Sequence, residues 1–256
     1  MKSYINKVAT GIVFLLPVLT ILLITGCENE EFYYQDTDKI WLSGDPAQLA
    51  TKDSTLVTFA LEDKSATTYV VNVIANLTGA MSNHDRTFKL VVVDSLTNVS
   101  ADSYQLGNCV VPANQIKAVV PVTIQRNVSG IDLKKNFAKV TFRVVDDSEL
   151  KPSVDDRLNF SVVWCDYLIR PASWDVINWY LGPFSQARYR FIIDQTGITD
   201  FSDYTGNYSW IIGFQSLMVR LLEKWNNDPA NANSEYGWPY LNDNGEPLKY
   251  GENLPF

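Results

Sequence analysis

The sequence predicts a mainly β protein with a C-terminal α region. The expected form is an immunoglobulin-like antiparallel β-sandwich over residues 39–166, followed over 167–256 by a small helical subdomain and a terminal β-hairpin. Three observations predict it. Between Lys39 and Cys165 the apolar residues recur with period two, the signature of strands with one face buried. Polar turn clusters separate these runs at fairly regular intervals, as in sandwiches. Past Arg170-Pro171 the period lengthens to three or four and helix caps appear.

The strand runs include 55–61, 69–74, 87–93, 119–124 and 138–144, all rich in Val, Ile, Thr and Phe, residues that suit a pleated, half-buried surface. Asn76-Leu77-Thr78-Gly79, Asn83-His84-Asp85 and Asn127-Val128-Ser129-Gly130 supply turns between them. Pro121 cannot donate to a ladder, so its strand is expected at an edge or a bulge.

Ser173, then Trp174 to Leu181, then Gly182-Pro183 reads as an N-cap, a short helix and a stop. Ser185 to Thr196 repeats that grammar, with Gly197 as its left-handed terminator. After Ser209, Ile211, Phe214, Met218, Leu221 and Trp225 form an apolar stripe at helical spacing that Asp228-Pro229 closes. Asn244-Gly245 between two apolar strips signals the terminal hairpin, because both residues tolerate positive φ.

The N-terminus sets the compartment. Lys2 and Lys7 precede an apolar run from Ile12 to Ile24, broken only by Pro17 and Thr20, and Ile24-Thr25-Gly26-Cys27 closes it. This is the layout of a lipoprotein signal peptide over 1–26. A spanning helix needs about 20 apolar residues, more than this run offers. Cys27 is the expected lipidation site, carrying covalent diacylglycerol and a fatty acyl chain such as palmitate. Two or more chains anchor stably where one does not. Residues 27–38 then form the lipidated Cys and an acidic tether, beginning Glu28-Asn29-Glu30-Glu31.

Composition narrows the partners. Removing residues 1–26, which hold two Lys and no acid, takes the formal net charge from −8 to −10. That acidity opposes nucleic acid and anionic lipid alike, so membrane attachment falls to the covalent anchor. Cys109 and Cys165 are left in expected strands, bridged or free.

No catalytic constellation stands out. His84 is the single histidine and no G-x-S-x-G elbow or phosphate-binding glycine loop occurs. Asp146, Asp147 and Glu149, with Asp155-Asp156 nearby, form the densest acidic group. It reads as a solvated loop or, alternatively, a calcium site. Carboxylates are numerous enough that a carboxylate-dependent hydrolase of glycans or peptides stays open as the rival to a binding protein. Aromatics give the positive hint: five of seven Trp and seven of thirteen Tyr fall in the last third of the chain. Tyr204, Tyr208, Tyr236, Trp238 and Tyr240, in expected loops or hairpin, are the candidate ligand-binding surface, since exposed rings stack on sugars or peptide side chains.

Taken together, the lipobox, Asp85-Arg86-Thr87-Phe88, Val111-Pro112-Ala113 with Val119-Val120-Pro121-Val122, Arg170-Pro171-Ala172-Ser173-Trp174 and the run Tyr189 to Phe201 resemble Bacteroidota lipoproteins catalogued only as a domain of unknown function. The resemblance covers nearly the whole mature chain and its motifs are structural, so it implies no catalytic residue. It implies an accessory role, in ligand binding or scaffolding, beside a SusC/SusD-like TonB-dependent nutrient-uptake system, with companion lipoproteins and a glycan or peptide as ligand. The acidic residues after Cys27 resemble the surface-export signal of such lipoproteins, which implies an outer-membrane protein facing the cell exterior; a plain linker facing the periplasm is the alternative.

Overall fold

A computed structural model describes residues 38–146, 149–153, 158–204 and 206–250. Cys27 and the tether before Asp38 lie outside the described residues, as do Asp147, Asp155 and Asp156. Among the described residues the protein is mainly β, with three α-helices toward its C-terminal end.

The described residues form, in order, β1 (Lys39–Gly44), β2 (Ser54–Thr58), β3 (Thr68–Thr78), β4 (Arg86–Thr87), β5 (Lys89–Val92), β6 (Tyr104–Leu106), β7 (Val110–Val111), β8 (Lys117–Gln125), β9 (Ala138–Val145), β10 (Lys151–Pro152) and β11 (Asn159–Cys165). They form a five-stranded sheet in the order β10-β1-β3-β8-β6, a four-stranded sheet in the order β2-β11-β9-β5, and the β4-β7 pair. The period-two reading holds along much of the strands, but the expected run 55–61 ends as a strand at Thr58, with Phe59–Leu61 forming a 3-10 turn, and β9 buries Val140, Thr141 and Phe142 in succession. On β8, Ala118, Val120, Val122 and Ile124 turn inward while Lys117, Val119 and Pro121 turn out. Both larger sheets feed one apolar core that includes Ile40, Val73, Val122, Phe142, Phe160 and Trp164. Fully burying one such side chain contributes about 1.5–3 kcal/mol. The Trp164 indole N–H is not stranded in this core, because it donates to the Gln125 carbonyl at 2.9 Å.

The sheets are mixed, which corrects the antiparallel expectation. β1 pairs with β10 in parallel, and β2 pairs with β11 in parallel. Alternation reports which face a residue occupies but is blind to strand direction, and these pairings join segments about a hundred residues apart.

Pro121 is the second correction. Its strand is internal, with β3 on one side and β6 on the other. The β6 ladder stops at Val122, however, and the Pro121 carbonyl accepts from the Gly107 amide at 2.8 Å just beyond it. The missing N–H therefore faces the flank where the ladder has ended. Gly107 permits that approach, since a Cβ there would sit 2.6 Å from the Pro121 ring.

The helices are α1 (Trp174–Leu181), α2 (Gln186–Thr196) and α3 (Tyr208–Asn227). Ser185 caps α2 by accepting the Arg188 amide at 3.2 Å, and Gly197 ends it at φ +72°. Asp243 reinforces the cap, its carboxylate taking the Gln186 and Ala187 amides at 2.8 and 2.7 Å. α3 starts two residues earlier than expected because Asn207 rather than Ser209 is its cap, accepting the Trp210 amide at 3.1 Å. Its inward face, with Ile211, Phe214, Met218 and Leu222, joins Trp174, Phe191 and Phe201 in a second apolar core. The expected hairpin is reduced to a turn. Gly245 alone takes positive φ, and the flanking strips meet in one antiparallel bridge, Leu241 with Pro247.

Candidate functional site

A concavity of about 590 Å³ lies where the end of β2 meets the segment leading into α1. Its size suits a small ligand or a few residues of a polymer. The wall is apolar, with Leu49, Leu56, Val57, Leu61, Tyr69 and Ile169. The polar lining comprises Arg170, Ser173, Thr199, Asp200 and Ser202, together with Glu62.

Local chemistry fixes each part. Thr58 ends β2 and its hydroxyl donates to the Tyr167 carbonyl at 2.5 Å while accepting the Ala60 amide at 3.1 Å, pinning the strand end to the chain after β11. Leu168 is held by the Gln186 side chain, which donates to its carbonyl and accepts from its amide, both at 2.8 Å. Ser173 does not cap α1 as expected. Its hydroxyl donates to Asp200 and accepts the Phe201 amide at 3.0 Å, tying the start of α1 to the loop after α2.

Asp200 is the polar centre. Its Oδ1 accepts from the Ser173 hydroxyl, the Phe201 amide at 2.8 Å, the Ser202 amide at 3.3 Å and the Ser202 hydroxyl at 3.1 Å. Those donors, led by the Ser173 hydroxyl, hold its pKa below the ordinary aspartate value. Tyr189 is the opposite case. Burial pushes its pKa up to about 12, and its hydroxyl donates to the Thr199 carbonyl. Near neutral pH the site therefore presents a fixed carboxylate and a fixed neutral phenol. Arg170 is paired with Asp175.

The aromatic candidates do not converge into one surface. Tyr208 is 66 % exposed at the start of α3 and Trp238 is 44 % exposed. Tyr204 lies flat on Trp210, 3.5 Å between centroids, and Trp210 in turn stacks on Phe214. Tyr236 stacks on Tyr240 at 5.3 Å. Tyr240 itself is a core residue, 1 % exposed and packed edge-on to Phe191 and Trp225. That removes it from any binding face: the strip after Trp238 turns inward to close the second core. Among the described residues no ring contact joins the Tyr204 stack to the Tyr236 pair.

The acidic cluster also disperses. Asp146 pairs with Lys151, Glu149 meets His84 Nε2 at 3.2 Å, and Asp147 is outside the described residues. Among the described residues, no three His, Cys, Asp or Glu side chains could share a metal ion. Cys109 and Cys165 are free thiols, and burial raises the pKa of each. None of the described helices is long and apolar enough to cross a membrane.

Sequence reasoning missed the concavity because its lining comes from widely separated segments. The one local signal was Arg170-Pro171-Ala172-Ser173, a rigid polar stretch with nothing in its pattern to explain it.

Residues 34–198 match the family model described as Domain of unknown function (DUF4843). The chain belongs to that family. No curated protein matches it significantly. Among solved structures, it is similar to a candidate carbohydrate-binding protein from Bacteroides ovatus ATCC 8483, at 6 % identity and TM-score 0.35 over 50 % of this chain and 37 % of that one. It is similar to Bacteroides thetaiotaomicron EndoBT-3987 with its Man5GlcNAc product, at 16 % identity and TM-score 0.36 over 44 % and 28 %. A two-domain protein of unknown function from Bacteroides fragilis NCTC 9343 gives 11 % identity and TM-score 0.35 over 50 % and 45 %. The chain thus spans less than half the length of each of these three, and at such scores they carry no argument about the site of this DUF4843 protein.

Proposed function

We propose that this protein is a lipid-anchored, non-catalytic binding subunit at the outer face of the outer membrane, working beside a SusC/SusD-like transporter. The anchor is diacylglycerol and a fatty acyl chain on Cys27, and the acidic tether holds the folded body away from the bilayer. In this reading the two larger sheets pack face to face as an immunoglobulin-like sandwich over 39–166, and residues 167–256 form the helical subdomain, with its terminal hairpin-like turn, that completes the binding cleft.

The observation that carries a binding role is the state of the titratable groups in the cleft. Asp200 is committed to the ionised form by its donors and Tyr189 to the neutral form by burial. Neither is poised near neutral pH, where general acid–base catalysis works best. Fixed charge and fixed hydrogen bonds at these two groups suit recognition of a ligand.

The test is purification from native outer membrane in mild detergent. A SusC-like barrel and a SusD-like lid are expected to copurify, and radiolabelled palmitate is expected to enter the wild type but not Cys27→Ser. Complexes that never contain the barrel would remove the transporter role. Turnover of an oligosaccharide or peptide, lost in Asp200→Asn, would restore the hydrolase alternative.

A further inference from the structure

The end of β2 is an open sheet edge inside the cleft, and its hydrogen-bonding groups point to one class of ligand. β2 lies at the margin of its sheet, with β11 as its neighbouring strand on one side and, on the other, a single antiparallel bridge from Ala50 to Thr55. The parallel register places Ser161 opposite Ser54, and the Ser161 amide donates to the Asp53 carbonyl at 2.9 Å. The peptide groups of Asp53, Thr55 and Val57 therefore face β11, whereas those of Ser54, Leu56 and Thr58 face away, as strand alternation requires. The Ser54 carbonyl is taken by the Thr51 amide at 2.7 Å and the Leu56 amide by the Leu49 carbonyl at 2.9 Å. There the cover ends. The preceding chain draws off toward the other sheet, where the Gln48 side chain donates to the Val70 carbonyl at 3.1 Å and accepts the Asn72 amide at 2.9 Å. Among the described residues, no backbone partner reaches the Leu56 carbonyl or the Thr58 amide on this side.

Resting on the binding role argued above, we infer that the cleft takes an extended peptide segment by strand addition to β2, with an apolar side chain against its wall and a cationic group near Asp200 and Glu62. A ligand residue laid parallel and opposite Val57 gives its N–H to the Leu56 carbonyl and receives the Thr58 N–H on its own carbonyl, the bonding pattern by which peptides extend exposed sheet edges. Leu49, Leu61 and Ile169 form an aliphatic wall for the flanking side chain. Charge complementarity selects the cation: neither Asp200 nor Glu62 is in an ion pair among the described residues, and the guanidinium of Arg170 is spent on Asp175. The hydrogen bonds that Asp200 accepts from the described residues converge on Oδ1, which leaves Oδ2 for the ligand. A sugar is served poorly here. The two lining tyrosines are Tyr69 and Tyr189; the Tyr189 ring is buried edge-on against Trp174, and the Tyr69 ring is half-buried and edge-on to Phe59, so neither offers a fully exposed stacking platform.

The test uses the full-length protein in detergent micelles and an acetylated, amidated pentapeptide with leucine, lysine and leucine at its centre. Calorimetric titration is expected to give saturable binding, at least tenfold weaker when the central residue is N-methylated and at least tenfold weaker when it is glutamate. Asp200→Asn is expected to erase most of the preference for lysine over norleucine while keeping the N-methyl effect. Hydrogen exchange at the Thr58 amide is expected to slow on peptide addition. Equal binding of the N-methylated peptide, or unchanged exchange at Thr58, overturns the inference. Binding of maltoheptaose in place of the peptide overturns it as well and leaves the binding role intact. Loss of the transporter from native complexes bears on the role and not on the strand addition.

Discussion

Arg126 and Asp166 form a two-pronged ion pair, Nε to Oδ2 at 2.9 Å and Nη2 to Oδ1 at 2.8 Å. Both side chains are largely buried, 17 % and 15 % exposed. The same guanidinium donates to the carbonyls of Asp63 and Ala66 at 3.0 and 3.2 Å, so one side chain gathers the end of β8, the loop after β2 and the exit of β11. Removing one partner of a buried pair strands the other charge. Arg126→Ala is expected to cost about 3 kcal/mol, read as a lower urea midpoint. Arg126→Lys keeps the charge but loses the planar fork, and is expected to fall between the two.

The second core has its own keystone. Trp174 is fully buried and meets Phe184, Tyr189 and Phe201 edge-on at 5.1, 5.5 and 5.9 Å. Trp174→Ala leaves a cavity that these rings cannot close. The expected loss is about 3–5 kcal/mol, with a collapse of the near-ultraviolet circular dichroism that the aromatic cluster produces.

Asp200 predicts an acid dependence. Its folded pKa lies below the unfolded value of about 3.9. The carboxylate therefore contributes stability at all pH above about 4, and that contribution is lost as pH falls through the folded pKa. Thermal melts of wild type and Asp200→Asn are expected to separate above about pH 4 and to converge as the pH falls through the folded pKa of Asp200. Ser173→Ala, which removes the leading donor, is expected to narrow the gap and to cost about 1 kcal/mol at neutral pH.

The two thiols are expected to be quiet. Burial raises the pKa of both Cys109 and Cys165, and the thiolate is the reactive form. Ellman's reagent at pH 7.5 is expected to label Cys165 only after denaturation and Cys109 slowly before it. Rapid stoichiometric labelling of the native protein would contradict the buried placement of Cys165.

Helix boundaries were legible because their signals are local. Ser185 and Gly197 each act within four residues, and both perform as read. Ser173 carries the same local pattern, yet its hydroxyl is claimed by Asp200, 27 residues away, and no window of sequence contains both. The inward faces of the strands were legible for the same reason that their partners were not: the pleat writes burial into every second residue but leaves direction unwritten. Tyr240 shows the limit for the site. An aromatic in a Pro- and Asn-rich strip looks exposed until the fold turns it against Phe191. The cleft was illegible altogether, being assembled from backbone edges and single side chains that carry no shared spacing.

The parallel union of β2 with β11 has a consequence for how the polypeptide is made. A nascent chain emerging N-terminus first carries Ser54 to Thr58 for about a hundred residues with no mate in its sheet, and closing so long a span is slow. Any product truncated before Asn159 leaves β2 and one flank of β9 bare, a sticky template for neighbouring chains.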